Sequence, residues 1–235
     1  MRPGSLVLVL STTAFAAACG GGSASGPSPV PTPSPTAASP TATARYRVTF
    51  ETTWSSATHP TDFPADAHFS PLIGATHSSA VRFWQPQALA SEGIEAMAER
   101  GRTSPLDAEI EAAIGAGTAR HVLRGSGVTA LPGAASIDFE IDLEQPLVTL
   151  VTMIAPSPDW FAGVHDLRLL EGNAWVDATT VALFPYDAGT DHGTTYASAD
   201  RDAEPREPIQ AIEGRPLDRA GAVAPVGRFT FRRLP

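Results

Sequence analysis

The chain has 235 residues, of which 43% are hydrophobic and 17% are charged, a composition typical of a folded protein and not of a disordered one. Its 25 acidic residues outnumber 16 basic residues, and the net charge of -9 argues against a nucleic-acid-binding protein, because binding to phosphates needs a basic surface. We therefore expect no nucleic-acid partner and consider cations the better candidates for a bound ligand.

Residues 1–18 predict a secretory signal peptide. One arginine precedes a short apolar run at residues 6–10, and three alanines precede Cys19. The apolar run is too short to remain as a transmembrane helix. Ala-Ala-Ala-Cys resembles the bacterial lipobox, in which the cysteine becomes the lipid-modified first residue of the mature protein; the alternative is an ordinary signal peptide cleaved after Ala18. We expect Cys19 to anchor the protein to a membrane, at the cell surface or in the periplasm.

Residues 19–44 predict a disordered stalk that follows the lipid-anchor cysteine. The segment is rich in glycine, proline, serine and threonine, carries no charge, and has almost no bulky apolar residue that could build a core. A hydrophobic pattern starts near Tyr46, so we place a single folded domain at residues 45–235.

Six segments of this domain predict β-strands, because apolar and polar residues alternate or because the run is apolar and β-branched. They are YRVTFETTW (46–54), AVRFW (80–84), SIDFEIDL (136–143), PLVTLVTMI (146–154), WVDATTVALF (175–184) and GRFTFRRL (227–234).

Between the second and third of these segments, an alanine-rich region predicts two helices. One has Ser104 as its N-cap and Pro105 as its first residue, and ends at the glycines of 115–117; a shorter one covers 87–100. Many strands with few, clustered helices favour an all-β antiparallel sandwich with a short helical insertion.

Three histidines, His59, His68 and His77, are spaced nine residues apart, which raises the possibility of a zinc site. Zinc sites usually bring two ligands within a few residues of each other, and this spacing does not. We therefore favour loop histidines that bond to backbone carbonyls.

The sequence contains none of the local motifs of nucleophilic or nucleotide-dependent enzymes. We expect a non-catalytic protein. The alternative is a metal-dependent hydrolase that uses a carboxylate cluster with His165 or His192 as the base.

Three aspartates give the stronger signal of a site. Asp159 lies in the proline-rich turn after the apolar strand at 146–154, and Asp187 and Asp191 follow the strand predicted to end near Phe184. If these strand ends share one edge of the sandwich, the carboxylates converge and repel one another by roughly 3 kcal/mol per pair at about 5 Å.

A bound cation would remove this repulsion, and calcium fits best because it takes oxygen ligands in irregular geometry. The alternative is that each aspartate separately caps its own loop through an Asx turn. Aromatic residues of the same loops, Trp160, Phe161 and Tyr196, could contact a ligand, but we favour buried packing.

Four motifs in order resemble the spondin domain family, the N-terminal module of F-spondin and mindin. They are YRVTFETTWSSATHPTDFPADAHFSPLIGATHS, ASEGIEAMAERG, APSPDWFAGV and FPYDAGTDHGTTYAS, and the similarity covers nearly all of 45–235. The resemblance implies an eight-stranded antiparallel β-sandwich that binds calcium through Asp159, Asp187 and Asp191.

Two departures from the family pattern matter. Tyr186 stands where the family has a tryptophan, and the chain lacks cysteines that animal members carry between the last two motifs. Animal members act in adhesion and the extracellular matrix. We therefore expect a surface-anchored recognition module whose ligand is an unidentified protein, glycan or lipid; the alternative is a purely structural envelope lipoprotein.

Overall fold

The structure, a computed structural model, describes residues 41–235. The predicted signal peptide, Cys19 and all but the last residues of the predicted stalk lie outside these residues. The elements, in chain order, are β1 (Thr43–Thr52), β2 (His68–Phe69), β3 (Ile73–His77), α1 (Glu92–Arg100), α2 (Leu106–Gly115), β4 (Ala119–Arg124), β5 (Ala134–Asp142), β6 (Leu147–Ala155), β7 (Trp160–Arg168), β8 (Leu170–Glu171), β9 (Ala174–Trp175), β10 (Ala178–Leu183), β11 (Pro185–Asp187), β12 (Gln210–Ala211), β13 (Asp218–Arg219), β14 (Ala222–Val223) and β15 (Gly227–Leu234).

The long strands form two antiparallel sheets. The first sheet has the order β10-β15-β1-β5, and the second has the order β12-β11-β7-β6-β3-β4, with β2 also paired to β6. β10 and β11 are consecutive in the chain and are separated only by Phe184, so one interrupted strand passes from the first sheet to the second. Counted as one, this strand and the seven other long strands form the predicted eight-stranded all-β sandwich.

The inner core lies between the two sheets. In β1 every second side chain is buried, including Tyr46, Val48 and Phe50, and β1 pairs along its length with both β15 and β5. The alternating pattern of β1, β5 and β15 therefore marks strands with one buried face and one solvent face.

A second core covers the outer face of the second sheet. Helices α1 and α2 and the segment 81–90 pack there, and all nine residues of β6 are buried as a result. Ser91 is the N-cap of α1, and its hydroxyl accepts a hydrogen bond from the Ile94 amide; Gly101 is the C-cap, in the left-handed conformation (φ 61°). The Glu109 carboxylate of α2 accepts from the Gly93 amide of α1 and joins the two helices.

Several sequence predictions need correction. Residues 80–84 form no strand; Phe83 and Trp84 instead pack against the second sheet. Ser104 is not an N-cap, because α2 begins at Leu106 with Pro105 before it and no side-chain cap bond. The shorter helix occupies only Glu92–Arg100 of the predicted 87–100.

The segment 175–184 is divided between β9 and β10. Strands β3, β4 and β7 were not predicted.

Candidate metal-binding rim

The three aspartates meet at one edge of the second sheet, which we call the rim (residues 156–159 and 187–201). β11 pairs antiparallel with the start of β7, so that Asp187 lies opposite Trp160, the residue that follows Asp159. The amide of Ala188 also donates to the Asp159 carbonyl at 3.1 Å. The strand pairing thus brings the loop after β6 against the loop after β11, which meets the condition that the sequence analysis set for the carboxylates to converge.

Asp159 is the buried centre of the rim, with 0% of its surface exposed. Its Oδ2 accepts hydrogen bonds from the amides of Thr190 (2.8 Å) and Asp191 (3.2 Å). Its Oδ1 is also buried, and within residues 41–235 it has no hydrogen-bond partner. A buried carboxylate oxygen without a partner is costly, so this atom indicates a place for a ligand, a water molecule or a proton.

Asp187 and Asp191 each form an Asx turn. Asp187 Oδ1 accepts from the Gly189 amide at 2.8 Å, and Asp191 Oδ1 accepts from the Gly193 amide. The alternative of local loop capping therefore describes part of what these two side chains do. Gly189 has a φ of 72°, and a Cβ there would lie 2.1 Å from the Glu207 carbonyl oxygen, which explains the glycine between the two aspartates.

Burial and mutual repulsion disfavour the charged carboxylates. Burial first, and then the charge of Asp187, raise the pKa of Asp159 to about 6. Burial is also the main cause that raises the pKa of Asp187. The rim is therefore an acidic cluster that a cation would stabilise.

The donor set suits a hard cation, but side chains alone do not complete a site. Among residues 41–235, no group of three or more His, Cys, Asp or Glu side chains is placed to hold a metal ion. A cation at the rim would need main-chain carbonyls and water beside Asp159, Asp187 and Asp191, a mixture that calcium accepts.

The aromatic residues in the rim and next to it in β7 are buried, which confirms the packing interpretation. Trp160, Phe161 and Tyr196 are 2%, 0% and 6% exposed. The rings of Trp160 and Tyr196 pack edge to face with their centroids 5.4 Å apart. Tyr186 packs against Phe161 and Trp84 in the second core.

The three evenly spaced histidines do not converge on a site. His59 Nε2 lies 3.1 Å from the Ala224 carbonyl oxygen, His68 Nδ1 lies 2.8 Å from that of Asp66, and His77 Nδ1 lies 2.9 Å from that of Ser78. Each therefore bonds to a backbone carbonyl, as the sequence analysis favoured, but His68 lies in β2 and His77 in β3, so only His59 is a loop histidine.

The two histidines of the hydrolase alternative lie in different surroundings. His192 is exposed in the rim. His165 packs against Trp84, and its Nδ1 lies 3.9 Å from Asp166 Oδ2, which already accepts from Arg82 Nε at 2.6 Å. At 3.9 Å this contact is too long for a hydrogen bond, and His165 Nδ1 has no hydrogen-bond partner among residues 41–235, so no side chain orients His165 as a base in this arrangement.

Comparison with known proteins decides the family. The family model described as Spondin_N matches residues 44–222. The chain belongs to the spondin family. Human Spondin-2 is 36% identical over 204 residues, covering 81% of this chain and 62% of Spondin-2. Human Spondin-1 is 37% identical over 210 residues, covering 81% of this chain and 25% of Spondin-1. The spondin domain thus spans about three fifths of the first relative and a quarter of the second.

The spondin rim also contains residues that the sequence analysis missed. The backbone amide of Arg201 donates to Asp191 Oδ2, and the guanidinium of Arg201 donates to the His192 carbonyl oxygen at 3.0 Å. His192, Asp200 and Arg201 line an open cavity of about 360 Å³ beside Asp191. No periodicity marks residues 194–207, so only the fold reveals that this loop returns to the aspartates.

Helices of residues 41–235 lack the combination of length and hydrophobicity that crossing a lipid bilayer requires.

Proposed function

We propose that this spondin domain is a surface-anchored, calcium-binding recognition module of the adhesion type, without catalytic activity. The observation that carries the proposal is the Oδ1 atom of Asp159, which is buried and unpartnered beside two further carboxylates. The amides of Thr190 and Asp191 fix Oδ2 of Asp159, whereas Oδ1 remains available for a ligand.

Calcium is favoured over a transition metal by the chemistry of the available atoms. The candidate ligands Asp159, Asp187 and Asp191 offer only oxygen, and the three histidines of the zinc alternative are bonded elsewhere. Bound calcium would offset the repulsion among the carboxylates and hold the loops that carry Asp187 and Asp191.

The recognition role rests on the position of this rim. The cavity beside Asp191 is open to solvent and is lined by polar groups, among them His192, Asp200 and Arg201. A calcium ion with an open coordination position could bridge to an acidic group on an extracellular protein, a glycan or a lipid. The N-terminal lipid at Cys19 and the stalk would hold this rim away from the membrane.

Calcium titration into the chelator-stripped full chain, with heat measured by calorimetry and unfolding followed in parallel, tests the proposal. We expect saturable binding and a rise in Tm, because a ligand that binds only the folded state stabilises it. Asp159→Asn should weaken binding most, because it changes the unpartnered oxygen.

Asp138→Asn serves as the matched control, because Asp138 lies on the exposed face of the first sheet and pairs with Arg47. It should bind calcium as the wild-type chain does. If calcium neither binds nor shifts the Tm of the wild-type chain, or if Asp138→Asn and Asp159→Asn behave alike, the calcium site is wrong.

A further inference from the structure

The first sheet ends on both sides in a strand with a free edge, and the two edges differ in charge. Among residues 41–235, β10 pairs only with β15, and β5 pairs only with β1. The exposed side chains of β5 include Asp138 and Glu140, whereas β10 has the uncharged sequence ATTVAL. Charged residues on an edge strand oppose pairing with another chain, and β10 lacks this protection.

The free backbone groups of β10 can be assigned from its pairing. The amide of Arg233 donates to the carbonyl of Asp177 directly opposite it, so the odd-numbered residues bond to β15. Bonding alternates along an antiparallel strand, and the N–H and C=O groups of Ala178, Thr180 and Ala182 therefore point away from β15. These three residues form a row of donors and acceptors at the edge.

The outward side chains of β10 and of the residues just beyond its ends are arranged nearly symmetrically about Thr180. Two residues away on either side are Ala178 and Ala182, and four residues away are Val176 and Phe184, the latter 44% exposed. A strand with this pattern presents a similar surface when it is reversed, because only the outermost pair, Val176 and Phe184, differs. Such a surface suits a two-fold axis, because each copy then offers the other the patch it needs.

We propose that β10 pairs antiparallel with β10 of a second copy of this chain, with Thr180 on the two-fold axis. Ala178 of each copy lies opposite Ala182 of the other, and three hydrogen-bonded pairs supply about six backbone hydrogen bonds. The two four-stranded sheets then join into one continuous sheet. The same register brings the exposed Phe184 of each copy opposite the half-buried Val176 of the other.

The arginine side chains beside β10 do not oppose this dimer. Within each copy, Arg232 lies opposite Ala178 and Arg228 lies opposite Ala182. In the dimer, the backbones of Arg232 of one copy and Arg228 of the other are three strand spacings apart, about 14 Å, so the two side chains are not forced into contact. Arg228 is in addition neutralised by Glu51 at 2.9 Å.

The contact is short, so the dimer is expected to be weak. A six-residue edge buries less than the roughly 1,200 Å² of a standard stable interface. Association should therefore appear at high protein concentration, and it does not depend on calcium.

Sedimentation velocity of the purified full chain in chelator, from about 10 µM to about 500 µM, tests the proposal in the range where such an interface associates. The wild-type chain should shift from monomer toward dimer. Thr180→Lys should abolish the shift, because it places two like charges directly opposite each other on the axis. Ser136→Lys is the matched control: it lies in the same cross-strand row as Thr180, at the other edge of the sheet, and should leave the shift unchanged.

Two further measurements distinguish pairing through β10 from association through another surface of the domain. Mixing Thr180→Lys with Thr180→Glu should restore the dimer, because the axis then pairs opposite charges. In the wild-type chain, amide exchange of Ala178, Thr180 and Ala182 should slow as concentration rises. The wild-type chain and its variants share the same N-terminal segment. Association through that segment would therefore be the same in all of them and would not respond to Thr180→Lys.

A wild-type chain that stays monomeric over the whole range, or equal loss of dimer in Thr180→Lys and Ser136→Lys, would overturn the proposal. Far-UV circular dichroism confirms that each variant is folded, and the amide-exchange result holds without any variant.

Discussion

Replacing Asp159 by asparagine should stabilise the calcium-free protein at neutral pH while removing its response to calcium. In the folded chain, burial and then the charge of Asp187 raise the pKa of Asp159 from its ordinary value of 3.8 to about 6. The folded state thus holds this proton to a higher pH than the unfolded chain does. The contribution of Asp159 to stability is therefore present below about pH 4 and is lost as pH rises through about 6.

The size of this effect follows from the two pKa values. The difference between 3.8 and about 6 corresponds to about 3 kcal/mol of destabilisation at pH 7. Asparagine keeps an oxygen that can accept from the Thr190 and Asp191 amides and has no charge to bury. For a domain of this size, about 3 kcal/mol corresponds to a rise in Tm of about 6 to 12 °C.

Thermal unfolding in chelator at pH 4 and pH 7 measures this effect directly. Asp159→Asn should exceed the wild-type Tm at pH 7, and the difference should shrink toward pH 4. Adding calcium should raise the Tm of the wild-type chain and leave the variant unchanged. Asp138→Asn should show no such gain, because its ion pair with Arg47 is exposed. A lower Tm for Asp159→Asn than for the wild-type chain in chelator at pH 7 would refute the reasoning.

Two further predictions concern the second sheet. Gly74→Ala should destabilise the domain by about 3 kcal/mol or more in urea unfolding, because its Cβ would lie 2.0 Å from the Thr149 backbone oxygen of the paired strand. Gly115→Ala is the control: a Cβ there meets nothing within 4 Å, and stability should change by less than about 1 kcal/mol. His77→Gln should reduce the loss of stability between pH 8 and pH 5.5, because burial lowers the pKa of His77 and the unfolded chain takes up the proton first. Equal stability of the two glycine variants, or an unchanged pH dependence in His77→Gln, would contradict these predictions.

The sequence predicts the first sheet better than the second, for a physical reason. The strands of the first sheet have one solvent face, so β1, β5 and β15 show the period of two that marks a strand. In the second sheet, all five residues of β3 are buried, and a run with two covered faces has no alternation to detect. Residues 80–84 alternate without forming a strand, because Phe83 and Trp84 cover the sheet and pair with no neighbour.

The sequence indicated that the three rim aspartates lie close to strand ends, but not what surrounds them. Proline, glycine and paired aspartates indicated that Asp159, Asp187 and Asp191 lie in loops at strand ends, whereas Asp187 is the last residue of β11. The unpartnered oxygen of Asp159 depends on the side-chain position, and the contact of Arg201 with Asp191 depends on a polar loop that returns from ten residues away. Neither feature has a local sequence signal.

The unequal covering of the two sheets determines where this scaffold can be engineered. The second sheet lies between two cores, so most of its positions are closed to new side chains. On the first sheet, the outward side chain of Thr49 lies near the middle of β1 and hydrogen-bonds only to Ser136. A fluorophore or a grafted epitope at Thr49 would disturb neither core, and it would report on the domain from the face opposite to the helices.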